Sequence, residues 1–228
     1  MKILCLVCVI VFFLGSFGAL AQGAYLEKGQ NGFGVEVRTI WTPQAFKGVG
    51  FSTGYSISGI LDIGFDLGYT LGELAGSDSS ELSLGFDYNV NVLKQSATVP
   101  LSLQIVGSYA LANVSSEYLD INNLERRATG YTIGAGLSSS FRFTSYWLLR
   151  LSILVDYESF TYTDTDTSVA PPVVADQERV RNLFFGGGLG FLFVFPKGQT
   201  VAVQAELRAD QDLDLQIHPI LAVAFPQI

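Results

Sequence analysis

The 228-residue sequence has few of the residues from which thiol, metal and nucleic-acid sites are usually built. Its only cysteines, Cys5 and Cys8, lie within the first 21 residues, and its only histidine is His218. A chain cleaved after residue 21 therefore has no disulfide, no catalytic thiol and no thiolate metal ligand. No stretch is rich in lysine and arginine, which argues against a nucleic-acid partner.

The amino terminus is typical of a secretory signal. Lys2 is followed by an apolar core over 3–14, which is short for a membrane anchor, and by the cleavage pattern Ala-Leu-Ala at 19–21. We predict a signal peptide over residues 1–21 and a short periplasmic segment over 22–32. Removing the leader with Lys2 leaves 12 basic and 21 acidic residues, a net charge of −9.

Long hydrophobic runs are also absent beyond the leader, although hydrophobic residues make up 49% of the chain. The apolar residues alternate instead with small or polar ones in about ten segments, most clearly over 61–71 and 82–92. An apolar outer face and a polar lumen give the strands of a membrane barrel this period of two. We predict an all-β, antiparallel, up-and-down transmembrane β-barrel over residues 33–225, with 226–228 as a tail. Ten strands are expected, with eight as the alternative.

A soluble sandwich or lipocalin-type barrel also alternates, but it fills its interior with apolar side chains. Here the polar face is rich in glycine and serine, which are too small to fill a dry core. The connections fit the membrane barrel too. Periplasmic turns are expected near Gly59 and over 93–100, 144–146 and 196–200, and outer loops over 72–80, 112–130 and 161–181. The longest connections then lie outside the cell, as such barrels prefer.

The last segment ends in Leu-Ala-Val-Ala-Phe at 221–225. Together with the alternation, this ending resembles the small bacterial outer-membrane barrels of the OmpA/OmpX kind and their ten-stranded relatives. The resemblance implies an outer-membrane location, contact with outer-membrane lipid and lipopolysaccharide, and recognition of the last strand by the barrel-assembly machinery. It also implies a monomer with a structural or surface-interaction role. Pro219 departs from the pattern and predicts a bulge or kink in that strand.

Parity, by which we mean the alternation of inward and outward side chains along a strand, predicts a cluster of charged residues and one histidine inside the barrel. Its members are Glu36, Arg38, Asp62, Asp66, Asp87, Arg142, Arg150, Asp156, Glu158, Glu206, Arg208 and His218. Unpaired charges away from water are costly, so these residues either form ion pairs that close the lumen or line a wet pore. The first alternative is favoured. In the second, the excess of acids makes the barrel a narrow, weakly cation-selective porin.

A third alternative is an outer-membrane lipid hydrolase. Residues 50–54 match G-x-S-x-G, and folding the first hairpin about Ala45 sets Ser52 opposite Arg38. Folding the last hairpin about Asp212 sets Glu206 opposite His218. The motif needs a strand-to-helix turn, however, and here it lies inside an alternating strand. We therefore predict a protein that is not an enzyme.

Two further motifs also fail. The spacing of Asp214 and His218 does not fit a protease of the omptin type. The acids at 210–214 lack the later ligands of a calcium loop. No metal or cofactor is predicted.

Overall fold

A computed structural model describes residues 29–96, 100–196 and 198–227. The predicted signal peptide and most of the predicted periplasmic segment lie outside the described residues. Among the described residues, no helix is long and apolar enough to cross a membrane.

Ten strands and one short helix account for most of the described chain. The strands are β1 (Gly32–Trp41), β2 (Phe46–Ile57), β3 (Leu61–Leu74), β4 (Ser77–Leu93), β5 (Ser102–Ser116), β6 (Leu124–Arg142), β7 (Trp147–Asp166), β8 (Val173–Val194), β9 (Thr200–Asp210) and β10 (Leu215–Pro226). The helix α1 (Glu117–Ile121) connects β5 to β6. Every strand pairs antiparallel with its sequence neighbours, and β1 pairs with β10. The closed ladder confirms the predicted ten-stranded, up-and-down barrel. At the level where the barrel closes, every strand is hydrogen-bonded to a neighbour on both sides.

The outward side chains form a continuous band that we call the apolar belt. Its lower edge is aromatic, and Trp147 and Phe193 pack there with ring centroids 4.9 Å apart. Its upper edge is formed by Leu71, Leu82, Leu111, Ile133, Tyr157 and Leu183. Large apolar side chains exposed over a whole belt need lipid around them. The belt thus marks the part of each strand that crosses the membrane.

Strands β3 to β8 continue above the belt as a six-stranded extracellular sheet. The prediction of long outer loops over 72–80, 112–130 and 161–181 is therefore wrong. The connections that remain are a turn at Ala75 and Gly76, the helix α1, and residues 167–172. Above the belt most outward side chains are polar, because water replaces lipid on the outside, and the inner face carries apolar as well as polar side chains. The inward side chains there form an apolar cluster that consists of Ala110, Ala112, Ala128, Phe160 and Tyr162.

Three details of register differ from the sequence predictions. The first hairpin turns between Thr42 and Ala45, earlier than predicted, so Ser52 lies opposite Glu36 and not opposite Arg38. The last strand extends through Pro226, which pairs with Gly32, so the tail predicted to begin at 226 is shorter.

Pro219 causes no bulge. The register between β1 and β10 is the same on both sides of it, and Ile220 pairs with Arg38 while Ile217 pairs with Trp41. Only the two pairs between these are missing from the ladder, because proline has no N–H to donate.

Candidate functional site

The lumen holds nearly all of the predicted charge cluster, packed away from solvent. Each charged member on β1, β3, β4, β7 and β9 is less than 9% exposed, and His218 is 3% exposed. The alternation of the strands explains this placement, since all of these residues share the inward parity. Arg142 is the exception and corrects the prediction. It stands at the periplasmic end of β6, where it is exposed and donates from Nη1 to the Ser145 carbonyl over 3.5 Å.

The centre of the cluster is Arg208 on β9. Its Nη2 atom donates to Asp156 Oδ1 at 2.7 Å and to Glu158 Oε1 at 3.1 Å. The guanidinium carbon also lies 4.6 Å from the centroid of the Phe184 ring. The three charged side chains are at most 2% exposed. One arginine of β9 thus holds two carboxylates of β7 over the inward glycines of β8, which lies between these strands.

A second group surrounds Arg38 on β1. Its Nη2 atom lies 3.5 Å from Asp66 Oδ1, and its Nη1 atom lies 3.9 Å from Glu36 Oε1. Gly50 makes room for this arginine, because a Cβ atom at position 50 would lie 2.8 Å from Arg38 Nε. Nearby, Asn89 donates to Asp62 Oδ2 at 3.0 Å. The glycine-rich inner wall therefore lets the arginine lie flat against β2 and reach the carboxylate on β3.

Apolar clusters lie on both sides of these charges. Near the periplasmic end, Leu192 packs with alanines of β9 and β10 and with Leu148. Above the charges lies the apolar cluster inside the extracellular sheet. Between them, beside Arg208 and Glu206, is a cavity of about 10 Å³ that is lined by Gln104, Ser152 and the glycines at 186–188. Such a space holds about one water molecule.

The arrangement around Ser52 and His218 gives no nucleophile with an adjacent base. The predicted pairing of Glu206 with His218 is confirmed by the register of β9 and β10. His218 Nε2, however, lies 3.1 Å from Gln216 Oε1, and Ser52 Oγ is buried with no hydrogen-bond partner among the described residues. A serine hydrolase needs these two side chains within hydrogen-bond reach.

The acids that follow β9 form a turn. Asp210 Oδ1 accepts from the backbone N–H groups of Asp212 and Asp214 at 2.9 and 3.0 Å. Within the described ranges, no three acidic or histidine side chains are placed to hold a metal ion.

Sequence reasoning missed a polar group above the belt, because it falls in a predicted loop. Arg126 Nε and Nη2 donate to the two carboxylate oxygens of Asp164 at 2.6 and 2.7 Å. Burial alone would lower the pKa of Arg126, but the hydrogen bonds and charge of Asp164 outweigh it and raise that pKa. On β4, burial raises the pKa of Glu81 to about 8. These residues close the upper end of the interior.

Comparisons with known proteins agree on the architecture. No protein-family model matches the sequence, and no curated protein does. Among solved structures, the translocator domain of the autotransporter NalP from Neisseria meningitidis is similar, with a TM-score of 0.51 and 9% identity over 87% of this chain and 89% of that one. The outer membrane protein OprG from Pseudomonas aeruginosa has a TM-score of 0.38 and 7% identity, over 88% of this chain and 98% of that one. The outer membrane protease OmpT from Escherichia coli has a TM-score of 0.40 and 7% identity, over 87% and 95%.

Similarity at these identities concerns the fold alone. That fold, with a closed ladder and an apolar belt, is the one that lets β-strands cross a membrane. The protein is an outer-membrane β-barrel.

Proposed function

We propose that this protein is a closed barrel whose role is to hold the extracellular sheet at the cell surface for interaction with other molecules. The observation that carries the proposal is the burial of the lumen charges. An open aqueous pore would leave such side chains accessible to water, whereas Asp62 and Glu158 are 0% exposed. The barrel then serves as a rigid anchor, and the function belongs to the part above the belt.

The extracellular sheet is suited to binding because one of its edges is free. Strand β9 ends at Asp210, which pairs with Phe184, so residues 173–183 of β8 have a neighbour only on the β7 side. This edge extends about 34 Å at 3.4 Å per residue. An unpaired edge offers backbone donors and acceptors that can pair with an extended peptide.

The tips of the sheet carry exposed apolar side chains. Ile121 in α1 is 71% exposed, and Val173 and Val174 at the start of β8 are 55% and 59% exposed. Exposed apolar side chains at the outermost points of a surface protein are unfavourable in water unless a partner covers them. Val173 and Val174 belong to the free edge strand β8, so they and the edge form one continuous binding surface.

The closed lumen is tested by single-channel conductance of the refolded mature chain in a planar bilayer. We expect the wild type to be silent and Arg38→Ala to open, because that substitution removes a large buried side chain and the cation of the group with Glu36 and Asp66. Arg127→Ala, on the outer surface, is the matched control and should stay silent. Steady cation-selective openings of the wild type would contradict the proposal and favour the narrow porin, which the excess of lumen carboxylates would explain.

The surface role is tested on bacteria that display the protein. Residues 167–172 with the upper halves of β7 and β8 are replaced by a short turn, which removes the β8 edge with Val173 and Val174, leaves only the shorter edge 124–130 of β6, and keeps the membrane part intact. Adhesion is measured to glass and to surfaces coated with collagen, fibronectin or laminin, at equal display levels. Loss of adhesion in the shortened variant is the expected result. Equal adhesion of both forms to every surface would refute the role of the sheet.

A further inference from the structure

Directly above the belt, the outward face of β6, β7 and β8 forms a regular patch that we call the arginine wall. Its three rows are given by the strand register: Arg127, Thr163 and Gln177 at the top, Thr129, Thr161 and Arg179 in the middle, and Tyr131, Ser159 and Arg181 at the bottom. The next row down is Ile133, Tyr157 and Leu183, which belongs to the belt. The patch therefore contains three arginines and hydroxyl groups but no carboxylate.

This composition is unusual for the chain, whose mature form has a net charge of −9. On the opposite side of the extracellular sheet, Glu73 and Asp78 face outward and pair with each other across β3 and β4. The nearest outward acid to the arginine wall is Glu125, which lies above it and contacts Arg127 Nη2 at 2.7 Å. Positive charge is thus concentrated on one wall, at the height of the membrane surface.

The two lower arginines have no acidic partner among the described residues. Arg179 Nε donates to Ser159 Oγ at 3.1 Å, which holds the guanidinium along the wall. Arg179 and Arg181 are both exposed, and no carboxylate lies within 4.0 Å of either in the described ranges. Arginine presents a planar fork of donors that matches the oxygens of a phosphate group.

We propose that the arginine wall binds the phosphate groups of a phosphorylated lipid in the outer leaflet. Arg179 and Arg181 would hold one phosphate group and the half-buried Thr161 hydroxyl would donate to it, while the buried Ser159 positions Arg179. The acyl chains would run down the belt beside Tyr157 and Leu183. The Tyr131 and Tyr157 rings, with centroids 6.4 Å apart, lie where headgroup and hydrocarbon meet.

The position of the patch favours a lipid over a soluble anion. A free phosphate could bind anywhere on the sheet, but these arginines begin one row above the belt, within reach of a headgroup. Basic residues at a membrane surface gain from anionic lipid in proportion to their number. The proposal does not depend on the role of the extracellular sheet, because it concerns the wall that faces lipid headgroups.

The test measures the affinity of the refolded mature chain, in neutral detergent micelles, for lipid A that carries two phosphates. Arg179→Gln/Arg181→Gln is compared with Lys47→Gln/Arg142→Gln, which removes the same charge elsewhere. We expect the first pair to weaken binding about 25-fold, roughly 5-fold for each arginine, and the second pair to change it less than 2-fold. Arg179→Lys/Arg181→Lys, which keeps the charge, should fall between them. Heat-modified mobility on gels verifies that each variant is folded.

Two further probes separate the sources of phosphate. Dephosphorylated lipid A should bind at least about 10-fold more weakly than the phosphorylated form, the order of magnitude expected when charge-assisted contacts are lost. Inorganic phosphate at about 10 mM should not displace the lipid. The proposal is overturned if Arg179→Gln/Arg181→Gln binds within 2-fold of wild type, or if the charge-matched control loses as much affinity. Displacement by inorganic phosphate would overturn it in favour of a soluble-anion site.

Discussion

Removing Arg208 should destabilise the barrel more than any other single charge change in the lumen. Its Nη2 atom serves Asp156 at 2.7 Å and Glu158 at 3.1 Å, and both carboxylates are at most 1% exposed. In Arg208→Met the two carboxylates lose their partner in a site that water does not reach. Breaking a buried pair in this way costs about 3–5 kcal/mol. We therefore expect the free energy of unfolding to fall by about 4 kcal/mol.

The measurement is reversible urea unfolding in phospholipid vesicles, followed by tryptophan fluorescence. Trp41 and Trp147 are the only tryptophans and both lie on the outer surface of the barrel, away from the substitution. Arg127→Met is the control, since its ion pair with Glu125 is 66% and 48% exposed and should contribute about 0–1 kcal/mol. The triple variant Arg208→Met/Asp156→Asn/Glu158→Gln should recover most of the loss. A cost below about 1 kcal/mol for Arg208→Met would mean that water solvates the carboxylates. That result would refute the closed lumen.

Three further predictions concern single positions. Because the folded pKa of Glu81 is about 8 against an ordinary 4.5, its contribution to stability is complete below pH 4.5 and is lost as pH rises toward 8. Glu81→Gln should remove this dependence, at most about 1.4 kcal/mol per pH unit, in urea titrations from pH 4 to 9. Pro219→Ala should restore a ladder hydrogen bond to β1 and add about 0.5–1.5 kcal/mol in urea unfolding, and the new amide at position 219 should be protected from exchange. Gly130→Ala should cost about 1–3 kcal/mol in urea unfolding, because its Cβ would displace the Phe160 ring, and equal stability would exclude that contact.

The membrane part of the barrel could be predicted because one physical rule governs every residue in it. Lipid outside and a polar lumen inside force the alternation, so parity alone placed Asp66, Asp156 and Arg208 on the inner face correctly. Partners could not be read in the same way. Which carboxylate Arg208 contacts depends on the stagger between strands that are distant in sequence, and parity carries no information about that stagger.

The errors fall where the rule changes. Above the belt, Phe160 and Tyr162 point inward while Thr161 and Thr163 point outward, which is the reverse of the pattern below. When the apolar side chains change from outward to inward positions within one strand, the alternation in the sequence is interrupted. Such a segment predicts a loop, although the strand continues. The first hairpin shows a smaller error, because its turn is centred between Pro43 and Gln44 and not at Ala45, which sets Ser52 opposite Glu36.

The extension of β3 to β8 beyond the belt has a consequence for biogenesis. Each outer hairpin of the extracellular sheet must cross the hydrocarbon layer before the barrel is complete. The three arginines of the arginine wall each cost about 2–4 kcal/mol at the bilayer midplane, or about 6–12 kcal/mol in total. Once these hairpins have been translocated, the same cost opposes their return. The orientation of the protein is therefore decided once, during insertion, and is afterwards maintained by a kinetic barrier.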